Sequence, residues 1–285
     1  MTTHPAAAHS APPVVLITGA GRRIGREIAR DFAAHGWRVG IHYRQSKAAA
    51  EEVVHEIKAG GGQAAALAAD LADGDAVARL VRDCRGQLGA PSCLINNASE
   101  FMLDSVSTMS DESWSTHLDV NLKAPVFLAR AMAAELPDGT IGNVINIIDQ
   151  RVWNLTPEFF SYTVSKAGLW SATRMLAQAL APHVRVNAIG PGPVLRSIHQ
   201  TKDDFDTECA STLLGRGTTP GEIANAIRYI LEAPALTGQM LALDGGQHLA
   251  WQDARNPASN PMPTSSSVSA SSPISAASQK HDTNR

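Results

Sequence analysis

Apolar residues gather in short runs along this chain, separated by longer amphipathic stretches, and the two alternate with few breaks from Pro13 to Trp251. "VVLIT" is followed by "RRIGREIARDFAAHG", "WRVGIHY" by "SKAAAEEVVHEIKAGG" and "QAAALAAD" by "DAVARLVRDCRGQLG", after which comes "PSCLINNAS". A short continuous apolar run fits a strand buried on both faces, and apolar spacing of three and four fits a helix packed on one side. Further on, the pattern predicts a helix over 111–135, a strand "IGNVINII", a helix over 159–180, a strand "VRVNAIG", a helix over 220–232 and a last strand "GQMLALDG". About seven strands in one alternation predict an α/β fold, a single doubly wound domain over 13–251 with parallel strands and helices on both faces. The segments 1–12 and 252–285, the latter rich in Ser and Pro, carry few large apolar residues and are expected to be disordered tails.

Composition narrows the function classes. With 44% hydrophobic residues in 285, the chain can bury a sizeable core, and a net charge of -3 gives no electrostatic reason to expect nucleic acid or an anionic membrane. Cys84, Cys93 and Cys209 are odd in number and have no paired spacing, so neither a disulfide framework nor a metal site is expected. The start lacks a basic, then apolar, leader, and no uninterrupted apolar run reaches about 18 residues. A cytoplasmic protein is the expectation.

The turn after the first strand reads "TGAGRRIG", a glycine loop between a strand and a helix, where helix N–H groups can bind phosphate. This context points to a Rossmann-type dinucleotide site, with Gly19, Arg22, Arg23 and Ile24 at the pyrophosphate; a plain glycine turn is the alternative. NAD-binding folds place a carboxylate at the end of the second strand. Here the segment is Tyr43, Arg44, Gln45 and Ser46, and a guanidinium is the natural partner of a 2′-phosphate, so NADPH is favoured over NADH. Asp70 and Leu71 follow the third strand, where Asp70 can reach adenine or cap the next helix; Asn97, Ala98 and Ser99 end the fourth.

Tyr162 precedes Lys166 by four residues on one helical face in "YTVSK". A phenol near its ordinary pKa of ~10 is a poor acid at neutral pH, and a neighbouring ammonium is expected to move it toward the working range. The strand before this helix ends in Asp149.

The glycine loop, "NNAS", Asn121 in "DVNLKAP", "YTVSK" and "GPGPV" together resemble the successive motifs of the short-chain dehydrogenase/reductase family, over nearly all of 13–246. The resemblance implies a proton relay of Asn121, Tyr162 and Lys166, with Lys166 also on the nicotinamide ribose. Pro191, Gly192 and Val194 would lie beside the nicotinamide, and the family's usual assembly implies a homotetramer through the "YTVSK" helix. Three departures stand out: Arg23 where the family has glycine, Asp149 where it has serine thirteen residues before the tyrosine, and Ser99, Glu100 and Phe101 after "NNA". That combination is similar to the pteridine reductase and dihydromonapterin reductase branch. It implies that Arg23 bridges the pyrophosphate and a pterin edge, Ser99 binds ligand or phosphate, Phe101 stacks on the heterocycle, and Asp149 assists Tyr162.

A carboxyl beside the tyrosine would repel an alkoxide and suits reduction of a C=N bond, although Asp149 can instead cap the following loop. Trp153 and Leu195 are candidate walls for a flat substrate; Phe159, Phe160, His199, Trp170 and Arg216 read better as packing or solvated residues. The sequence thus points to an NADPH-dependent dihydropterin reductase. A 3-oxoacyl or small-ketone reductase and a catalytically silent NADP(H) sensor remain as alternatives.

Overall fold

Val14–Ile17, the first strand (β1), is buried at all four positions, and alternate residues feed two different cores. Val15 and Ile17 meet Ile28 and Phe32 of one helix and Ile223 and Ile227 of another, while Val14 and Leu16 meet Leu80, Leu128 and Met132 on the opposite face. A period of two between helical layers is what a doubly wound sheet requires. The computed structural model describes residues 11–250. Apart from residues 11 and 12, the expected tails lie outside that range, as does Trp251.

The strands are β1 (Val14–Ile17), β2 (Arg38–Tyr43), β3 (Gln63–Ala68), β4 (Cys93–Asn96), β5 (Gly142–Ile147), β6 (Val184–Pro191) and β7 (Met240–Leu243). They form one sheet in the order β3-β2-β1-β4-β5-β6-β7, and every neighbouring pair is parallel. Helices α1 (Arg23–Ala34), α2 (Lys47–Ala59), α3 (Gly74–Leu88), α4 (Asp111–Leu118), α5 (Ala124–Glu135), α6 (Phe160–Leu180), α7 (Lys202–Ser211) and α8 (Pro220–Glu232) complete the described chain. Strand order reverses between β1 and β4, which opens a crevice at their carboxyl ends, the usual ligand position in such sheets.

Two helices differ from expectation. The single helix over 111–135 is α4 and α5 joined by a π-helical turn, Asp119–Lys123. Pro125 contributes to this break, because it has no N–H to give to the carbonyl of Asn121 four residues earlier. Helix α7 was not anticipated. It buries none of its residues and therefore has no apolar stripe, but a capping box starts it: Thr201 Oγ1 accepts the Asp204 N–H, and Asp204 Oδ2 accepts the Thr201 N–H.

Candidate active site

The crevice is a cleft of about 840 Å³ running from the glycine turn to the N-terminal end of α6. At its base, Thr18 Oγ1 accepts the N–H groups of Asn97 (2.9 Å) and Ala98 (3.0 Å), which draws β1 and β4 together. Gly19 turns there with φ +65°, and a Cβ on it would lie 3.0 Å from Ala98 Cα. Arg23 has φ +52°, a left-handed conformation that favours glycine, so arginine keeps the geometry of the missing glycine at about 1 kcal/mol or more of strain. Its guanidinium donates to the carbonyls of Leu195 (2.9 Å) and Arg196 (3.0 Å), tying the glycine turn to the segment that covers the cleft.

No side chain caps α1 and no acidic residue stands in its first turn, which leaves the positive end of the helix facing the cleft. His42, buried at the end of β2, accepts the Gly19 N–H on Nδ1 (3.0 Å) and donates from Nε2 to the Ala69 carbonyl (3.1 Å). Burial pushes its pKa down to about 4. Arg44 Nη1 pairs with Glu100 Oε1 at 2.6 Å, and Gln45 and Ser46 line the same end of the cleft. Tyr43 does not line it, but packs half-buried against the core. Asp70 lines the cleft and accepts the Ala72 N–H (3.0 Å); Asp73, not Asp70, caps α3.

Across the cleft, the Tyr162 hydroxyl donates to Asp149 Oδ2 at 2.9 Å, while Asp149 Oδ1 accepts the Arg151 N–H at 2.8 Å. One carboxyl thus both caps the following loop and partners the tyrosine. Lys166 Nζ donates to the Ile147 carbonyl at 2.8 Å. Burial lowers the Lys166 pKa to about 8, and burial raises that of Asp149. Tyr162 moves the opposite way from the expected depression. Burial first, then the charge and hydrogen bond of Asp149, hold its phenol well above the ordinary value, so Tyr162 is a neutral donor.

Asn121 sits outside the cleft. Its Oδ1 accepts the Glu100 N–H (2.9 Å), and its Nδ2 donates to the Glu100 carbonyl (3.0 Å) and to Ser165 Oγ (3.1 Å). The side chain brackets one residue rather than touching Tyr162 or Lys166. Just beyond that bracket, the Phe101 ring stacks on Phe159 (4.3 Å) and meets Tyr162 edge-on (4.7 Å). Ser99, exposed, donates to the Glu100 carbonyl.

The family model described as enoyl-(acyl carrier protein) reductase matches residues 19–248. The chain belongs to the short-chain dehydrogenase/reductase family. It is accordingly an oxidoreductase. A family relative, the 3-oxoacyl-(acyl-carrier-protein) reductase FabG of Staphylococcus epidermidis, is 30% identical over 239 residues, covering 82% of this chain and 98% of the relative. A crystal structure of FolM alternative dihydrofolate reductase 1 from Brucella suis in complex with NADP shares 47% identity and a TM-score of 0.83, covering 86% of this chain and 98% of that one. A blue fluorescent protein from a metagenomic library, in complex with NADPH, shares 29% identity and a TM-score of 0.76, covering 82% and 97%.

Of the residues singled out in this family member's sequence, the structure brings Gly19, Arg22, Arg23, Ile24, Arg44, Gln45, Ser46, Asp70, Leu71, Asn97, Ala98 and Ser99 to the cleft. With them come Phe101, Asp149, Tyr162, Lys166, Pro191, Gly192, Val194 and Leu195. Trp153 is not among them; it packs edge-on against His248 at 4.9 Å, because the short 3-10 turn Gln150–Val152 carries it past the cleft. Phe159 and His199, read as packing and solvated residues, do line the cleft, and His199 Nε2 donates to the Phe101 carbonyl at 3.1 Å. Glu100, noted as part of the departure after "NNA", also lines it, as does His42, which had no sequence motif to announce it although it stands two residues before Arg44.

Proposed function

We propose that this chain is an NADPH-dependent reductase that converts a dihydropterin to its tetrahydro form. The observation that carries the reading is the hydrogen bond from Tyr162 to Asp149, 2.9 Å long, at the position where the family keeps a neutral hydroxyl. An ionised carboxyl there would repel negative charge growing on a carbonyl oxygen. A C=N bond instead takes hydride at carbon and a proton at nitrogen, and a carboxyl and phenol sharing a proton suit that demand. The FolM structures support the same reading, since they are described as alternative dihydrofolate reductases and hold NADP at 46–47% identity to this chain.

The glycine turn fits a dinucleotide. A Cβ at Gly25 would stand 2.5 Å from the Gly19 carbonyl, and the uncapped N-terminus of α1 leaves backbone N–H groups for pyrophosphate. Arg44, with Gln45 and Ser46, would hold the 2′-phosphate, and Pro191, Gly192 and Val194 the nicotinamide end. When bound, NADPH supplies the hydride. The protein supplies the rest: Lys166 keeps a positive charge beneath the site at neutral pH, Tyr162 stays protonated, Asp149 holds the phenol in place, and Phe101 offers a flat apolar face to the heterocycle.

The test is NADPH oxidation by the purified protein with 7,8-dihydromonapterin, 7,8-dihydrobiopterin, dihydrofolate and a 3-oxoacyl thioester at matched concentrations. Dihydropterin turnover that Tyr162→Phe abolishes is expected; turnover of the thioester alone overturns the assignment. Because FabG relatives match the whole catalytic domain at 30% identity, the thioester is the second reading, and Asp149→Ser improves its turnover if that reading holds. We further take the enzyme to be cytoplasmic and tetrameric through α5 and α6, whose outer faces leave Phe127, Val164 and Met175 exposed. Light scattering at the monomer mass removes the tetramer.

A further inference from the structure

His117 is fully buried at the end of α4, and both of its ring nitrogens are engaged. The Met102 N–H points at Nε2 from 3.1 Å, which requires a lone pair on that nitrogen. The one proton of the neutral ring therefore sits on Nδ1, 2.6 Å from Ser161 Oγ. The Ser161 hydroxyl donates to Asp104 Oδ2, and Asp104 Oδ1 accepts the Ser161 N–H at 3.1 Å. Ser113 Oγ adds a third donor to Asp104 at 3.2 Å. One assignment satisfies the whole row without setting donor against donor: Asp104 ionised, the Ser161 hydroxyl turned to it, and His117 neutral.

The row joins parts of the site that are far apart in the chain. Met102 directly follows Phe101, whose ring lies against Tyr162, and Ser161 directly precedes Tyr162. Asp104 also accepts the Phe160 N–H on its backbone carbonyl at 3.3 Å. Nothing in the proton transfer drawn above uses His117, Ser161 or Asp104, and none of the three lines the cleft. Three buried polar residues kept at such a junction serve geometry.

We infer that His117 is a positioning residue: as the neutral Nδ1–H imidazole it fixes the peptide after Phe101, and so holds the aromatic wall of the substrate site against Tyr162. This rests on the reading of the cleft as a site for a flat heterocycle. Burial lowers the proton affinity of His117 against the opposing pull of Asp104 and Glu100, with Lys166 adding to the lowering, in keeping with a ring that stays neutral. Substrate affinity depends on where Phe101 stands, whereas His117 makes no hydrogen bond to the Tyr162 hydroxyl or to Asp149 and meets only the Tyr162 ring, edge-on at 6.0 Å, a contact that a phenyl ring at position 117 keeps.

The experiment compares the full-length enzyme with His117→Phe and His117→Gln. The phenyl ring fills the space but cannot accept the Met102 N–H; the glutamine amide can accept it and still donate to Ser161. For His117→Phe at pH 7, the KM for dihydropterin is expected to rise about tenfold, the scale of one buried donor left unpaired, with kcat and the KM for NADPH within about twofold of wild type. His117→Gln restores the pterin KM. Hydrogen exchange of a peptide spanning 101–104, read by mass spectrometry without substrate, speeds up in the Phe variant and returns to wild-type protection in the Gln variant. If the Phe variant does not fold, Ser161→Ala, which deprives Nδ1–H of its acceptor, carries the same expectation. A wild-type KM and exchange rate in the Phe or Ala variant, or equal KM increases in the Phe and Gln variants, overturn the proposal. Exchange is measured without turnover, so an enzyme that reduces no pterin but shows this exchange pattern sinks the substrate assignment and leaves His117 as the holder of Phe101.

Discussion

The buried imidazole of His42 makes a quantitative prediction about acid stability. It bridges the Gly19 N–H and the Ala69 carbonyl as a neutral ring, and burial takes its pKa from 6.5 to about 4. In the unfolded chain the ring binds a proton near pH 6.5; in the folded protein it resists until about pH 4. The unfolded state therefore holds more protons between those values, and stability from this residue is complete above pH 6.5 and lost as pH falls. The drop from 6.5 to about 4 corresponds to roughly 3 kcal/mol once pH is below 4, lost at no more than about 1.4 kcal/mol per pH unit on the way. At pH 5 about 2 kcal/mol is already gone relative to pH 7. His42→Gln removes the titration while keeping a polar group at the glycine turn. Urea unfolding followed by tryptophan fluorescence at pH 7, 6 and 5 is expected to show the wild type losing about 2 kcal/mol more than the variant over that range. Comparing the two cancels the titration of carboxylates elsewhere. Curves that stay parallel to within about 0.5 kcal/mol would refute the claim that this ring is held neutral by its burial.

Other consequences are equally direct. Tyr162→Phe removes the hydroxyl that donates to Asp149 Oδ2 and is expected to lower kcat about 10²–10⁴-fold, with NADPH binding, followed by fluorescence titration, unchanged. Activity depends on a charged Lys166, so kcat/KM is level near pH 7 and falls about tenfold per pH unit above about 8; Lys166→Arg has no such limb if it remains active. Arg44→Ala weakens NADPH about tenfold or more in equilibrium titration and leaves NADH unchanged, whereas Glu100→Gln, which frees Arg44 from its 2.6 Å ion pair, tightens NADPH. Arg23→Gly relieves the left-handed strain at position 23 but cuts the tie to Leu195 and Arg196; thermal stability measured by calorimetry stays level or rises while the pterin KM increases.

The sheet was legible because strands buried on both faces leave runs such as "VVLIT" and "VRVNAIG" that helices of this size do not produce. The glycine turn, Arg44 and the Tyr162 and Lys166 spacing were legible for a similar reason: each places its chemistry within a few residues. What escaped was assembled across the chain. Phe159 reaches the cleft because α6 begins beside the loop after β4, and His199 because the segment after β6 meets Phe101 and Phe159 there, and a periodicity scan of their neighbourhoods cannot register those meetings. Helix α7 escaped because it packs no apolar face, although Thr201 and Asp204 marked its start. The π-helical turn at Asp119–Lys123 was invisible, since one extra residue per turn barely disturbs an apolar pattern. The expectation for Tyr162 failed on a matter of proximity: the argument from Lys166 was sound for an isolated pair, but Asp149 is the group that bonds the phenol, and burial outweighs both.

The grip of Asn121 on Glu100 sets a rule for how this enzyme can change. A single residue is clamped through its own N–H and C=O, and its side chain reaches Arg44, while the next ring along the chain reaches Tyr162. That short stretch works as a gauge block between the cofactor end and the substrate end: adding or removing one residue would swap which end each side chain serves. Preference for nucleotide and for heterocycle can then be retuned by exchanging side chains at 100 and 101. Loop grafts that alter length have to begin beyond Asp104, past the hold of His117 on Met102 and of Asp104 on Ser161.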